Sequence, residues 1–548
     1  MNRKQRRAAI KAGGSGAAVA GVVGEAVGHH QAGRLDQASI LYLKVLAAQP
    51  DNADVLHLLG GLRLQQGNLT QAAELNARAV AIRPTFAEAL SNLASSLAEL
   101  GKLDEAVDAC RRAIALKPNL PGAHVNLGIA LKKLGGVAEA EVTFRQALSR
   151  QPNNYGLHYN LGILLEELGR PVEAEASFRA ALHQQPASFE AIVGLAVVLR
   201  HLGRVAEAEA CLGEALSLRP NDAEAHLNLA CTLLLAGRLA EGWEHFEWRW
   251  KTRLSARARD PSTLWTGEPI RGRTILLHGE QGFGDTLQFC RYAPLVAANG
   301  ATVVLEVPRP LVRLMSRLPG VAEVVAHGDP SPPFELHCPM MSLPLVTGTT
   351  LETIPGASYL VAEPMLAAEW RERLGALAGL KVGLVWAGGR REDPNLAALD
   401  ARRSITLEML APLRAVRGAS FVSLQKGDPA AQAASQPRGV ALHDFTAELE
   451  DFADTAALID GLDLVISVDT SVAHLAGGLG KPVWLLNRFD TDWRWLLNRD
   501  DSPWYPSLRQ FRQPSPGEWN PVVDAVRDAL ERLVAGDRDQ LRARSSSR

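Results

Sequence analysis

The chain has 548 residues, more than one hydrophobic core can organise, so several folding units are expected. Its 58 basic and 60 acidic side chains nearly cancel, which argues against a nucleic-acid or anionic-membrane partner because either needs a concentrated basic face. The five cysteines show no metal or redox spacing and fit free thiols in a reducing compartment. A cytoplasmic protein is therefore expected, and no segment of the sequence is apolar over the length that spans a bilayer.

The first 23 residues are basic at their start and begin with MNRKQRRAAIKAGG. The run of small residues from Ala17 to Val23 contains glycine and is soon followed by Glu25, so it is too short and too polar for the apolar core of a signal peptide. Residues 1–23 are therefore expected to form a disordered basic tail.

Residues 24–254 repeat with a period of 34. Proline recurs at this interval from Pro50 to Pro220, glycine recurs from Gly33 to Gly237, and a small residue stands five positions after each glycine. Glycine permits a tight turn between two helices, the small residue lets the helices pack closely, and proline ends the second helix. The period therefore predicts an array of seven helix pairs.

This pattern resembles the tetratricopeptide repeat family, and the resemblance implies an α-solenoid whose first helices line a concave groove. One phased position is an amide that precedes a phased leucine in four repeats. Such an amide is suited to bind the backbone of an extended protein or peptide acceptor, with capping or solvation within the repeat as the alternative. These acceptor-binding candidates are Asn92, Asn126, Asn160 and Asn228.

Two other sets of residues in the array are expected to serve packing. Three phased histidines lie on different repeats and cannot share one metal ion: His124, His158 and His226. The segment EGWEHFEWRWKTRL ends the array, and its aromatic residues from Trp243 to Trp250 fall at helical spacing. They are expected to cover the exposed face of the last repeat rather than to stack on nucleic acid.

After residue 271 the period disappears and apolar strands alternate with amphipathic helices, which predicts an α/β fold. Strands are predicted at Thr274–Leu277, Thr302–Val307 and Glu323–Ala326, and then in KVGLVWAG, SFVSLQKG, DLVISVD and PVWLLNR. Two doubly wound halves, residues 272–378 and 379–535, are expected to enclose a cleft at the carboxyl ends of their strands. Residues 255–271 are expected to be a linker, and residues 536–548 a disordered tail.

The stretch LVISVDTSVAHLAGG predicts an anion site in the second half. A buried strand ends at Asp469, and Thr470 and Ser471 open a helix, so backbone N–H groups and two hydroxyls point into the cleft. His474 lies one turn inside the helix and is expected to reach the same anion. Helix capping by Asp469 or Thr470 is the alternative.

The longer segment DLVISVDTSVAHLAGGLGKPV resembles the D-[ST]-G-x-x-H-x-A-x-x-L-G-x-P signature of the bacterial heptosyltransferase family, over about residues 272–533. The resemblance implies an inverting glycosyltransferase of the GT-B fold, with two Rossmann-like halves. It also implies that Asp469, Thr470 and His474 hold the diphosphate of a nucleotide-sugar donor. Ser471 stands where the family has glycine, and its hydroxyl is expected to donate in place of a closer backbone approach.

The first half contributes the loop LLHGEQGFGDTLQF, in which Gly282 and Gly284 lack the third glycine of a dinucleotide-binding fingerprint. The heptosyltransferase family carries a Gly-Asp pair in this loop whose acid faces the acceptor. The resemblance therefore implies that Asp285 is the catalytic base, with the two glycines beside the donor. Glu280 is the second candidate base, and a helix-capping role for Asp285 is the alternative.

Further polar groups are expected around the donor. Gln425 and Lys426 end another strand of the second half, and Arg403 is a further candidate cation. Together with the helix dipole and the hydroxyls they are expected to meet the charge of the leaving diphosphate, so neither a metal ion nor another cofactor is expected. The DTD stretch beginning at Asp490 matches a metal-binding D-x-D pattern, but so short a motif arises by chance.

The preferred interpretation is a glycosyltransferase that moves a sugar from a nucleotide-sugar donor to a protein acceptor presented by the repeats. In architecture alone, this combination is similar to the protein O-linked N-acetylglucosamine transferases. One alternative is an interaction scaffold whose transferase unit has lost its activity. Another is a nucleotide-sugar epimerase, which explains the cleft but gives the repeats no task.

Overall fold

The computed structural model describes residues 19–252, 259–389, 394–435 and 442–542. The chain divides into two compact units. One contains the described residues up to Glu166 together with Val172–Gly194, and the other contains Glu167–Pro171 together with the described residues from Leu195 onward. Within the described ranges, no helix is both long enough and apolar enough to cross a membrane.

Consecutive helix pairs form the first part of the chain, as the 34-residue period predicts. The helices are α1 (residues 19–31), α2 (Leu35–Ala48), α3 (Ala53–Gln65), α4 (Leu69–Ile82), α5 (Ala87–Glu99), α6 (Leu103–Leu116), α7 (Pro121–Lys133), α8 (Val137–Arg150), α9 (Tyr155–Glu167), α10 (Pro171–Gln184), α11 (Phe189–His201), α12 (Val205–Leu218), α13 (Ala223–Leu235) and α14 (Leu239–Phe246). Each pair turns at a phased glycine whose φ lies between 68° and 83°. That left-handed conformation is the reason for glycine at these turns.

The helices within a pair pack closely because small residues face larger ones. The phased alanines, such as Ala72 and Ala106, are fully buried. Where the phased position on a first helix is glycine, a large side chain of the second helix fills the space. A methyl group added to Gly128 would lie 2.3 Å from the Phe144 ring.

The three phased histidines make one recurrent contact, a hydrogen bond from Nε2 to the carbonyl of the proline six residues earlier. The distances are 2.8 Å for His124, 2.7 Å for His158 and 2.9 Å for His226. Each imidazole thus connects the first helix of its repeat to the turn that precedes that helix. This local role agrees with the packing expected from the sequence.

We predict that Gly128→Ala destabilises the array by about 1 to 3 kcal/mol, because its new methyl group collides with the Phe144 ring. Gly213→Ala is the matched control, since a methyl group at that helical position meets no heavy atom within 4 Å and alanine favours the helix. Thermal unfolding of both variants checks the prediction. Equal midpoints for the two variants would contradict the packing described here.

Two parallel sheets form the second part of the chain, which agrees with the predicted α/β class. The first sheet has the order β3-β2-β1-β4 and the second has the order β10-β9-β8-β5-β6-β7. The strands are β1 (Thr274–His278), β2 (Thr302–Val307), β3 (Val321–Ala326), β4 (Leu336–Pro339), β5 (Leu380–Val385), β6 (Ala419–Ser423), β7 (Leu442–Asp444), β8 (Leu464–Val468), β9 (Val483–Asn487) and β10 (Leu508–Arg512). The order of the second sheet reverses between β5 and β8, and ligands of such sheets bind outside the carboxyl ends at that point.

Helices connect these strands and cover the sheets. They are α15 (Phe283–Phe289), α16 (Ala293–Ala298), α17 (Val312–Met315), α18 (Leu343–Val346), α19 (Pro364–Gly375), α20 (Pro394–Arg403), α21 (Ala411–Arg414), α22 (Phe452–Asp460), α23 (Ser471–Gly478) and α24 (Asn520–Val534). Strands β8 and β9 are buried along their whole length, as expected for parallel strands covered on both faces.

Several boundaries differ from those expected from the sequence. Residues 19–23 belong to α1 rather than to a tail, and residues 1–18 lie outside the described part of the chain. The helix that follows the glycine-rich loop begins inside that sequence stretch, at Phe283, and is interrupted by a 3-10 turn. Helix α19 was expected in the first half, which ends at residue 378. In the structure it packs on α22 of the second half and therefore belongs with that half. Gln540 is buried, and its carbonyl accepts a hydrogen bond from Trp484 Nε1, so the expected C-terminal tail is packed at its start.

An aromatic cluster joins the last repeat to both halves of the α/β part, all within the second compact unit. Trp243 of α14 is only 1% exposed, and its ring lies edge-on to Phe289 and Trp493 at centroid distances of 6.1 and 5.3 Å. Phe246 completes the contact and is also buried. The aromatic end of the array therefore covers an apolar surface, as the sequence predicts, and that surface belongs to the α/β part.

Candidate functional site

The candidate site begins where strand β8 passes into helix α23. Thr470 is the residue before the helix, and its hydroxyl lies 3.1 Å from that of Ser467. The N–H of Ala473 donates to the Thr470 carbonyl, so the N–H groups of Ser471 and Val472 point beyond the helix end. Ser471 has a helical backbone, which any residue adopts, so its replacement of the family glycine introduces no strain.

Helix α15 of the first half meets α23 of the second half at Gly284. A methyl group added to Gly284 would lie 3.0 Å from Cδ2 of His474 and 3.7 Å from Cα of Ser471. A larger residue at this position would force the two helices apart. The amino-terminal turns of α15 and α23 therefore lie against each other, one from each half.

Asp285 stands in the first turn of α15 and binds both its own helix and the second half. Its Oδ2 accepts a hydrogen bond from the N–H of Gly282 at 3.0 Å, and its Oδ1 accepts one from Arg494 at 2.5 Å. Gly282 is the residue before helix α15, and Asp285 is the third residue of the helix. The Asp285 carboxylate thus caps the helix by binding back to the N–H of Gly282. Its side chain remains 22% exposed, so each oxygen can accept a further hydrogen bond.

Arg494 was not singled out by the sequence, yet it is the residue that joins the two halves here. Its Nε donates to Gln288 of the first half at 2.6 Å, one terminal nitrogen donates to Asp285, and the other donates to Asp492 at 3.0 Å. Burial alone would lower the pKa of Arg494, but the carboxylates of Asp492 and Asp285 raise it above its ordinary value. A permanent cation therefore lies between the two halves.

More arginines surround the carboxyl end of β8. Arg403 pairs with Asp400 at 2.5 Å, and Asp490 pairs with Arg402 at 3.2 Å and with Arg488 at 3.4 Å. The two acids of the D-x-D stretch, Asp490 and Asp492, are thus each bound by at least one arginine.

The charges at Asp469 are balanced by these neighbours. Burial and the nearby Asp492 raise the pKa of Asp469, while Arg403 and Arg488 oppose the rise. Burial alone would also raise the pKa of Asp492, but the bond and charge of Arg494 lower it below its ordinary value. The structure therefore brings Arg403 and Arg488, rather than Lys426, close to the acid that ends β8.

His474 is a buried, neutral side chain in this site. It is 4% exposed, its Nδ1 lies 2.8 Å from the hydroxyl of Tyr505, and its ring stacks on Trp495 at 5.4 Å. Burial, reinforced by the charge of Arg494, lowers the pKa of His474 to about 3. A neutral imidazole has one hydrogen-bond donor and one acceptor, so His474 offers a ligand no positive charge.

Glu280 does not have the position expected of a catalytic base. Both of its oxygens are bound by Arg249, at 2.8 and 2.9 Å, and Oε1 also accepts the N–H of Met341 at 3.2 Å. Only 6% of either charged side chain is exposed. Burial raises the pKa of Glu280, although Arg249 opposes this. The expectation is corrected because this carboxylate belongs to a closed ion pair.

Gln425 and Lys426 also differ from expectation. The amide of Gln425 is 3% exposed and bonds twice to the backbone N–H groups of Trp386 and Ala387 and twice to backbone carbonyls. It therefore has no group left for a ligand. The ammonium of Lys426 donates to the carbonyls of Thr446 and Leu449 at 2.8 and 2.6 Å, so it stabilises a neighbouring loop.

The four phased asparagines use their amide N–H groups within the array. Asn160 donates to the carbonyl of Gly156 at 2.8 Å, Asn228 donates to that of Glu224 at 3.0 Å, and Asn126 donates to Ser91 of the preceding repeat at 2.9 Å. The Asn92 amide lies 3.4 Å from His57 of the preceding repeat. All four side chains are half-buried, so the expected contact with an acceptor is left chiefly to their carbonyl oxygens.

Comparison with known families identifies the repeats. Models described as "Tetratricopeptide repeat" match residues 24–86 and 125–191 and, separately, 165–226, and a model described as "TPR repeat" matches residues 94–135. The repeats are tetratricopeptide repeats. Their groove-forming architecture generally mediates protein interactions.

One curated protein is similar to this chain at moderate identity. Protein FlbA of Caulobacter vibrioides is 30% identical over 327 residues, which cover 54% of this chain and 53% of FlbA. The chain therefore spans about half the length of that relative.

Two solved structures resemble the tetratricopeptide part. The thermophilic TPR protein TTC0263 of Thermus thermophilus is 27% identical with a TM-score of 0.31, over 33% of this chain and 99% of that one. PilF of Pseudomonas aeruginosa is 20% identical with a TM-score of 0.34, over 39% of this chain and 96% of that one.

We predict that Gly284→Ala lowers the thermal stability of the second unit, because its methyl group would press on His474 and Ser471. An overpacked contact of this kind typically costs about 1 to 3 kcal/mol. Gly282→Ala is the control two residues away, since its methyl group would make an ordinary contact of 3.5 Å with Asp285. Equal stability of the two variants would show that α15 and α23 do not meet as described.

The neutral state of His474 predicts a pH dependence of stability. The pKa of His474 is about 3 in the folded protein and about 6.5 in an unfolded chain, so the unfolded chain binds one more proton between these values. Stability is therefore lost as the pH falls from about 6.5 towards 3, by up to about 1.4 kcal/mol per pH unit. Denaturant unfolding at pH 7 and pH 5 should show a smaller loss for His474→Gln than for the wild type. An identical loss would contradict the buried neutral imidazole.

Proposed function

We propose that this protein is an inverting glycosyltransferase of the GT-B type that moves a sugar from a nucleotide-sugar donor to a protein held by the tetratricopeptide repeats. The observation that carries the proposal is the meeting of α15 and α23 at Gly284. It places a carboxylate of one half, Asp285, beside the free helix end and the arginines of the other half. Transfer from an activated phosphate ester requires these two kinds of group close together.

The donor's diphosphate would bind at the amino-terminal end of α23. The N–H groups of Ser471 and Val472 and the hydroxyl of Ser471 supply donors there. The hydroxyl of Thr470 donates to Ser467, whose own proton binds the carbonyl of Val468, so Thr470 can only accept from a ligand. The charge of Arg403 acts on the neighbouring Asp469, and its buried Nε–H has no hydrogen-bond partner within the described part of the chain. A helix end together with a guanidinium favours a diphosphate by dipole, charge and bidentate geometry.

In the reaction, a hydroxyl oxygen of the acceptor attacks the anomeric carbon from the face opposite the diphosphate. The bond between that carbon and the phosphate oxygen breaks, and the nucleoside diphosphate leaves with the electron pair. Asp285 accepts the hydroxyl proton, and Arg494 keeps that carboxylate in place. Arg494 and Arg403 also compensate the charge that grows on the leaving group.

The repeats support a protein acceptor. Their phased asparagines have carbonyl oxygens that can accept N–H groups of an extended peptide, although that of Asn228 already accepts one hydrogen bond from Arg200. Such contacts would recur in four repeats and do not depend on the peptide's side chains. A groove of this kind suits a polypeptide better than a small lipid or sugar acceptor.

We predict that Asp285→Asn leaves donor binding within about twofold but lowers transfer by about a hundredfold or more, because it removes the proton acceptor and keeps the shape of the turn. Release of nucleoside diphosphate from a panel of nucleotide sugars, with the repeat-bound proteins as acceptors, measures transfer, and calorimetry measures binding. Asp329→Asn is the matched control, since Asp329 pairs with Arg309 on the surface of the same half. Undiminished turnover by Asp285→Asn would remove Asp285 from the role of base.

The ammonium of Lys426, which was expected to bind the donor's phosphates, instead donates to the carbonyls of Thr446 and Leu449. This favours the alternative of an interaction scaffold with an inactive transferase unit. That lysine follows β6, two strands from β8, and two of its three N–H groups donate to the carbonyls of a loop. The same assay decides between the two functions. Wild-type protein that captures proteins through its repeats but releases no nucleoside diphosphate with any donor would establish the scaffold.

A further inference from the structure

We propose that Arg249, at the end of the last repeat, is a positioning residue for the transfer reaction. It anchors the loop between β1 and α15, and this loop carries Asp285. The inference rests on the proposed function, because it assigns Asp285 the role of base. It goes further because a residue of the repeat array would hold the loop that carries the catalytic base in position.

The guanidinium of Arg249 is hydrogen-bonded at every N–H group. All five of its N–H groups donate: two bonds go to Glu280, and the others go to Glu247, Ser342 and the carbonyl of Phe246. The group also lies against the rings of Phe246 and Trp250, at 4.8 and 4.7 Å. A charge bonded at every position and 6% exposed cannot rotate away without breaking several contacts.

The partner of this guanidinium, Glu280, lies in the loop that presents the base. Strand β1 ends at His278, and Gly279 bonds to the carbonyl of Glu306 at 2.9 Å. Glu280 is the next residue, and Asp285 follows five positions later. The loop is therefore held at two points by arginines from two different parts of the chain. Arg249 of the last repeat holds one end through Glu280, and Arg494 of the second half holds the other end through Asp285.

These two ion pairs give the loop a defined position that neither side chain could provide alone. A catalytic base must stay within a few tenths of an ångström of its working position, and a misplacement of about 1 Å can cost about a hundredfold in rate. Donor binding lies on α23 of the second half and does not depend on the Arg249–Glu280 pair.

The test is Arg249→Lys, which keeps the charge but loses the two-point grip on Glu280. We expect kcat to fall by about tenfold to a hundredfold, while the KM for the donor and the Kd for nucleoside diphosphate stay within about twofold. Amide hydrogen exchange in the peptide covering residues 279–285 should become faster by more than the accompanying loss of global stability explains. Glu280→Gln should reproduce this pattern, because it loosens the same anchor from the other side.

Arg238→Lys is the matched control. Arg238 also pairs with two glutamates in the last repeats, Glu209 and Glu241, but this cluster is exposed and lies outside the loop. It should leave kcat and loop exchange unchanged. Unchanged loop exchange in both Arg249→Lys and Glu280→Gln would overturn the anchor. Faster loop exchange with an unchanged kcat would overturn the positioning role.

The exchange measurement separates this inference from the proposed function. If the wild type transfers no sugar, the proposed function fails and the positioning role fails with it, whatever the exchange shows. If the wild type is active, the comparison of kcat with loop exchange decides on Arg249 alone. Where Arg249→Lys does not fold, Glu280→Gln carries the test, since the neutral amide fits the same space.

Discussion

The buried guanidinium of Arg494 is the interaction on which the arrangement of the candidate site depends. Without it, Asp285 of one half and Asp492 of the other would face each other as unpaired carboxylates. Leaving a buried charge without its partner typically costs about 3 to 5 kcal/mol, so the contact between the two halves would be weakened at this point. With Arg494 in place, the turns of α15 and α23 can approach as closely as Gly284 permits.

The segment around Arg494 also connects the last repeat to the candidate site. Trp493 precedes Arg494 and packs on Trp243 at the end of the array. Arg249 of the array reaches the loop that holds Asp285. Aromatic packing and two ion pairs therefore fix three elements together: the last repeat, the first loop and the arginine of the second half. A protein bound to the last repeat would be held on a body that is continuous with the loop that carries Asp285.

Much of the fold could be predicted from the sequence because its signals are local. The 34-residue period specifies turns and helix ends through glycine and proline, and helices lie at each period of the structure. Helix α23 begins at Ser471, in agreement with the prediction, because a buried strand and a polar cap precede it. Strands β4, β7 and β10 were missed: β4 and β7 have only four and three residues, which carry little periodicity, and three of the five residues of β10 are polar.

The site was harder to predict because its decisive contacts join residues far apart in the chain. Asp285 and Arg494 are separated by 209 positions, and Arg249 and Glu280 by 31. A sequence shows that Glu280 and Lys426 are charged, but not that an arginine or a pair of carbonyls already binds them. The most direct test of the account is a crystal structure with bound nucleoside diphosphate. We predict its terminal phosphate on the N–H of Ser471 and on Arg403; a diphosphate held instead at Lys426, or no binding at saturating concentration, would contradict it.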